Sequence, residues 1–574
     1  MKKIATKKDF ICFSTLFLIL FLSNFGQKLI AQNQAELEQE NVEVNKTNEF
    51  ELIAKPPIKT NAELAPLTVL EVSRDEEVDF SQTITFHRLT FNDIPNELAP
   101  TIPKELKGNY VKAGFGNYIT PYFEGFYSRD LNDRNKIGVF AHHLSSMNGV
   151  VDGENSAYGN TNVLLFSEHT QEKFVLSSSI NYNVERVHYY GYDLAEIPKK
   201  EDIQQTYHRL ETKVGLTSLP RKDDTGDTSQ SKLAYTFSVG FNYFDAINDV
   251  NEWQIPVLGE VAYSLSEKSK LKFSSELYQT QQNSSFIIDD QNTTLTNNRT
   301  LASFVPSYNF TSNNLTMNVG AGVAYSSDSL LENTAESSIF FYPDIDISYQ
   351  LKKDKLWLLG EISGGVQPQF LSMLTVQNPF LASVQPLSHT FSQIDASVAI
   401  QTKFHKNIRA NAEVGFAMYE NMPFFVPSVT DISKFTILYD NVNIFQTGIS
   451  ATYQKNKFNA RLSANYFNYS LTDLEVAHHR PNIQTSLNLG YTFVEKLSAE
   501  LSMIQLFGLK TKNNLGEVVD LTPIHDLSTK ISYRFTDRVS AFVNGYNLIG
   551  QNYQRFIGYP NNGITVVVGG KFIF

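Results

Sequence analysis

Two histidine pairs are the first residues here whose type and spacing could do chemistry: His142-His143 and His478-His479. Imidazole is a common metal ligand. Neighbours on a strand point to opposite faces, so His142 and His143 cannot easily share an ion if that stretch is extended. His478-His479 falls in a loop-like stretch, where two rings could turn toward one metal, but no ordered carboxylate spacing accompanies them. Asp223, Asp224 and Asp227 lack the Asp-x-Asp-x-Asp-Gly order of a calcium loop and read as a solvated charged turn. Serines are plentiful, yet there is no Gly-x-Ser-x-Gly, and no serine can be singled out beside a base. Nor is there a Walker loop, a dinucleotide fingerprint or a cysteine cluster. These residues predict no catalytic centre, no bound metal and no cofactor, and the chain does not read as an enzyme.

The remaining charges of interest are Glu361, Arg409, Glu413, Arg461, Lys530 and Arg534. Five of them sit on the polar side of alternating runs. In Ile408–Met418 one side is Ile408, Ala410, Ala412, Val414, Phe416, Met418, and the other carries Arg409, Asn411 and Glu413. Phe458–Tyr466 sets Phe458, Ala460, Leu462, Ala464 and Tyr466 against Asn459, Arg461, Ser463 and Asn465. Leu527–Phe535 sets Leu527, Thr529, Ile531, Tyr533 and Phe535 against Ser528, Lys530, Ser532 and Arg534. Leu233–Tyr243 alternates in the same way without charges. A period of two is that of a strand with one face in an apolar medium and one in a wetter one. The six charged side chains are therefore expected to face a polar lumen. There they pair with one another, meet a filling segment or line a selective path.

The last eleven residues, Ile564–Phe574, show the pattern at its cleanest. Phe574, Phe572, Gly570, Val568, Val566 and Ile564 make a face with no polar side chain. Upstream, tight charged turns recur at Leu131–Lys136, Thr170–Lys173, Glu267–Lys270, Thr311–Asn314, Lys352–Lys355, Phe404–Asn407, Gln454–Lys457, Val494–Lys496 and Thr536–Arg538. Longer connections alternate with them, near 146–158, 190–204, 287–296, 325–336, 368–390, 420–434, 470–482, 508–522 and 551–563. Runs long enough to cross a bilayer when tilted, joined by short turns on one side and long loops on the other, are the mark of an outer-membrane barrel. The fold class expected is all-β: a transmembrane antiparallel up-and-down β-barrel of about 22 strands, roughly 20 to 24, with short periplasmic turns and longer extracellular loops.

Composition agrees. Of 574 residues, 42 are Phe and 28 Tyr, and the formal net charge is −12, which argues against nucleic acid as a partner. No apolar run after the first 30 residues approaches the ~20 that a spanning helix needs. Residues 1–31 read as a secretory signal: Lys2, Lys3, Lys7 and Lys8, then the apolar Ile11–Leu22. The only cysteine, Cys12, lies inside it. Residues 32–107 are polar, acid-rich and proline-punctuated, and read as a mostly irregular periplasmic arm with short strands at Leu67–Val72 and Gln82–Leu89. Residues 108–574 are the barrel.

The opening Asn109–Tyr127 reads as two membrane strands joined by a tight hairpin. The closing Arg538–Phe574 resembles the end of TonB-dependent receptor barrels: an Asn-Leu pair (Asn547-Leu548), a loop with Tyr559, Pro560 and Gly563, and a last strand ending in an aromatic. The resemblance covers the barrel. It implies outer-membrane lipid as the surroundings, and a role for Phe574, Phe572 and Gly570 in the signal read by the barrel insertion machinery. Leu67–Val72, followed by Asp75–Glu77, reads as an ordinary extended segment and also resembles the strand such transporters offer an energy-coupling partner. The chain departs from the family in having only about 75 residues before the barrel, too few for its plug domain. A lumen of this size is normally filled. The arm, infolded loops such as Gln367–His389, or a partner protein could fill or gate it. The expected function is passage of a solute or macromolecule across the outer membrane. The alternative is a non-conducting structural or assembly subunit of a larger envelope complex.

Overall fold

The computed structural model describes residues 109–574, apart from 194–196, 220, 223–227, 230–231, 247–249, 289–290, 330–334, 383–384 and 495. The leader with Cys12, the arm at 32–107 with its two short strands, and Asp223, Asp224 and Asp227 lie outside the described residues.

Twenty-two strands make one antiparallel sheet in which sequence neighbours are hydrogen-bonded, and the first strand, Tyr110–Gly116, pairs with the last, Thr565–Ile573. The register of that seam runs from Tyr110 opposite Ile573 to Gly116 opposite Val567. Past its end, the Phe574 amide donates to the Asn109 carbonyl at 2.9 Å. Closure is what allows a sheet to span hydrocarbon, where unpaired backbone groups cost several kcal/mol each.

The alternation in the sequence is the alternation of the wall. Phe237, Val239 and Phe241 are 42%, 49% and 43% exposed on the outside, with Ser238, Gly240 and Asn242 between them facing in. All nine tight turns fall at one end, where Phe404, Phe493, Phe535 and Phe574 form an exposed aromatic rim. Aromatic rings favour that position because it offers both apolar and wet surroundings.

At the other end several strands outrun expectation. The stretch 287–296 is not a loop: strands Ser269–Ile288 and Gln291–Thr311 run 20 and 21 residues. Ile408–Pro427 and Phe435–Lys455 are as long, so the connection expected at 420–434 shrinks to 428–434. About ten residues suffice to cross a bilayer. Beyond the apolar belt the outer face no longer needs grease, so the sequence signal fades at Gln281–Ser285, while the backbone ladder continues through its own hydrogen bonds.

Glycine matters at the closing seam. A Cβ on Gly569 would meet the Ala113 carbonyl oxygen at 2.2 Å and the Phe542 ring at 2.5 Å. The ring of Phe542 thus lies across the join of first and last strands, in space that a side chain would fill.

Candidate functional site

The connection between strands Leu356–Gln367 and Thr390–His405 folds inward at the long-loop end. Its sequence contains a seven-residue helix, Leu371–Gln377, followed by Asn378–His389. Leu371, Leu374, Phe380, Leu381 and Leu387 are at most 3% exposed. They form a hydrophobic core with Tyr189, Tyr207 and Phe244 on one side, Phe425, Phe435 and Ile437 on another, and Phe556 and Tyr559 of the closing loop. The connection is a strap across the mouth.

Strong polar anchors hold it. The helix has no side-chain cap of its own. Glu252, from strand Val250–Ser266, supplies one: its carboxylate accepts the Leu371 amide at 3.2 Å and the Ser372 amide at 3.5 Å. Negative charge at a helix start satisfies free amides and opposes the helix dipole. Arg299, 1% exposed, donates to the Gln369 carbonyl at 2.6 Å and lies 3.9 Å from Glu252. Arg209 pairs with Glu185 at 2.9 Å and reaches the strap at Thr375 Oγ1, 3.0 Å away. On the far side Leu381 bridges Phe435, and the Gln385 carboxamide accepts from the Ile437 amide at 2.9 Å. Tyr189 and Tyr207 donate to the Leu381 and Pro379 carbonyls at 3.0 and 2.8 Å. Strap and wall are thus bonded from both sides.

The closing loop contributes as well. Asn547, at φ 47°, donates through its amide to the Gln551 and Asn562 carbonyls, which ties the two ends of the loop together. Tyr559, fully buried, stacks on Phe380 of the strap at 4.4 Å and donates to the Ser433 carbonyl.

Both histidine pairs are committed to packing. His143 bonds Thr161 Oγ1 at 2.8 Å and Ser145 Oγ at 3.1 Å, and His142 lies edge-on to Tyr122. His479 donates from Nδ1 to the Phe425 carbonyl at 3.0 Å and accepts the Ile557 amide on Nε2 at 3.2 Å. His478 bonds Thr511 Oγ1 at 3.0 Å. Burial pushes His478 down to about 4, with Lys512 adding to the effect, and holds His479 well below its ordinary value. Both are neutral at pH 7.

Of the six charged candidates, register brings Glu361 opposite Asp346 and Ser397. Glu413, opposite Ala399 and Gly448, is two residues from Gly415, which pairs with Ser397. Arg409 and Arg461 both face Thr452 of the strand between them. Lys530 stands opposite Glu500, and Arg534 opposite Ser540 in a row that continues to Lys571, Lys112 and Glu124. Arg409, Arg461 and Arg534 stand toward the short-turn end of the wall, away from the strap. The residues that anchor it, Glu252, Arg299, Arg209 and Glu185, carry no local signal, because each acts on a segment distant in sequence.

No protein-family model matches the chain, and no curated protein does. Solved structures do. The FrpB iron transporter from Neisseria meningitidis superposes with a TM-score of 0.64 at 10% identity, covering 81% of each chain. The copper transporter OprC gives 0.61 at 12%, covering 81% of this chain and 80% of that one. The fold is that of a TonB-dependent receptor barrel. The pyoverdine outer membrane receptor FpvA from Pseudomonas aeruginosa PAO1, bound to pyoverdine, also matches, with a TM-score of 0.61 at 11% identity. Likeness at such identity concerns architecture alone.

Proposed function

We propose that this is an outer-membrane barrel that passes a solute or macromolecule, and that the strap at 368–389 is its gate at the extracellular mouth. The observation that carries the reading is the strap itself, docked on both sides of the wall by a shared core and by Glu252, Arg299 and Arg209. Similar architecture in proteins described as iron and copper transporters supports transport as the use of such a barrel. In this reading the arm at 32–107 is periplasmic and either fills the lower lumen or contacts a partner. The charges at Glu361, Arg409, Glu413, Arg461, Lys530 and Arg534 line the path below the strap. Phe574, Phe572 and Gly570 serve insertion.

Planar-bilayer conductance tests it. Replacing 370–387 with a short Gly-Ser linker should convert a quiet barrel into a large pore. Removing 32–107 separately reports whether the arm also blocks. If the barrel stays silent with both segments gone, the sealed structural subunit is the correct account and the gate is not.

A further inference from the structure

The inner wall of the barrel is divided by charge. Among the described residues, seven neighbouring strands make up the sector at the closing seam: Phe458–Leu471, Ile483–Val494, Leu497–Phe507, Ile524–Arg534, Val539–Tyr546, Thr565–Ile573 and Tyr110–Gly116. They carry five cations, Arg461, Lys530, Arg534, Lys571 and Lys112, against two carboxylates, Glu500 and Asp526. The cations face in, because Leu462, Ile531, Tyr533, Phe572 and Val111 beside them are exposed on the outer face. Asp526 belongs to the long-loop end, where it accepts from the Tyr553 and Ser528 hydroxyls. Halfway round the sheet, strands Ala335–Lys352 and Leu356–Gln367 have the opposite balance, with Asp344, Asp346 and Glu361 against Lys352.

At the seam like charges stand side by side. Lys112 and Lys571 are opposite each other in register, and the Tyr110 ring lies 5.2 and 4.5 Å from their ammonium groups. Lys112 bonds Glu124 of the next strand at 2.7 Å. Ser540 stands opposite both Lys571 and Arg534. Like charges set across a strand pair destabilise it. The positive excess is a sum over the strands and holds whichever neighbours each side chain bonds. The space in front of it is open: Arg461 and Asn459 are exposed although they face in, and Lys112 keeps 25% of its side-chain surface exposed.

The chain has an acidic stretch on a tether of fitting length. Residues 32–107 hold 15 Asp and Glu against 7 Lys and Arg. Within them, 71–79 read EVSRDEEVD, with Glu71, Asp75, Glu76, Glu77 and Asp79 against Arg74. The chain enters the wall at Tyr110, two positions before Lys112 and at the short-turn end. A coil of about 30 residues spans roughly 30 Å, which is about the depth of the hydrocarbon core. The stretch therefore reaches the basic sector, and a charged cleft between apolar walls concentrates the opposite charge.

We propose that residues 71–79 dock inside the short-turn half of the lumen, against Lys112, Lys571, Arg534, Lys530 and Arg461. This deepens the reading in which the arm fills the lower lumen. It does not depend on the strap as gate, whose conductance test is read separately.

Paired cysteines in the full chain, with Cys12→Ser, test it. Outer membranes carrying Val78→Cys and Ser540→Cys are treated with a short bis-maleimide. Cross-linking within the chain should run at least about fivefold faster than for Val78→Cys with Ser348→Cys, which faces in on the acidic sector. Combining Asp75→Asn, Glu76→Gln and Glu77→Gln, or adding salt to about 1 M, should bring the two rates together. Ser532→Cys replaces Ser540→Cys if that variant does not insert. Equal rates from the start, a preference that survives both neutralisation and salt, or capture of Val78→Cys by another envelope protein instead of the wall overturns the proposal.

Discussion

Gly569 and Gly570 are neighbours with opposite duties. Gly569 points to the lumen, where the Phe542 ring and the Ala113 carbonyl leave no room for a Cβ. Around Gly570 the nearest heavy atom is the Ser540 carbonyl oxygen at 3.8 Å. Overpacking typically costs about 1–3 kcal/mol. Gly569→Ala should therefore lower the temperature at which the barrel loses its compact gel mobility, and Gly570→Ala should not. Equal shifts in the two variants would mean that the seam is not packed by Phe542. The sequence marks both glycines alike; only the side of the wall separates them, and the alternation that assigns the side says nothing about the ring from the neighbouring strand.

The strap is an element with little reason to hold its shape alone. A seven-residue helix is far too short to be stable in water. It forms because Leu371 and Leu374 enter the core at the mouth and because Glu252 takes the amides at its start. Glu252→Gln removes that charge and leaves Arg299 buried without its carboxylate, a loss of about 3–5 kcal/mol when a buried pair is broken on one side. The cost falls on the docking of the strap, since the wall strands keep their own ladder. A Leu374→Cys reporter, fully buried in the closed form, should react slowly with a maleimide and at least about tenfold faster when combined with Glu252→Gln. Unchanged labelling would show that Glu252 does not secure the strap.

For the molecule as a whole, closure comes before everything else. The first strand pairs with both the second and the last, and the last with both the strand Val539–Tyr546 and the first. A chain ending at Gly563 would leave two strand edges unpaired, a state that hydrocarbon does not tolerate. Such a truncation should give no heat-modifiable band and no protein in the outer-membrane fraction. A folded, membrane-inserted product would show that a sheet without the last strand can close. The same closure means that a segment entering the mouth meets strands far apart in the chain.

How much could be read beforehand follows from the range of each interaction. The membrane-crossing part of the strands, which side of Leu233–Tyr243 or Phe458–Tyr466 faces outward, and which end carries the tight turns were legible in the linear order of residues, while the strand extensions at 287–296 and 420–427 were not. A period of two, sorted by lipid on one side and water on the other, is a property of neighbouring residues. The strap's dock and the capping of its helix by Glu252 across 119 positions were not. They depend on the register accumulated around the sheet and on which loops the curved wall brings face to face, and no local pattern of side chains encodes that sum.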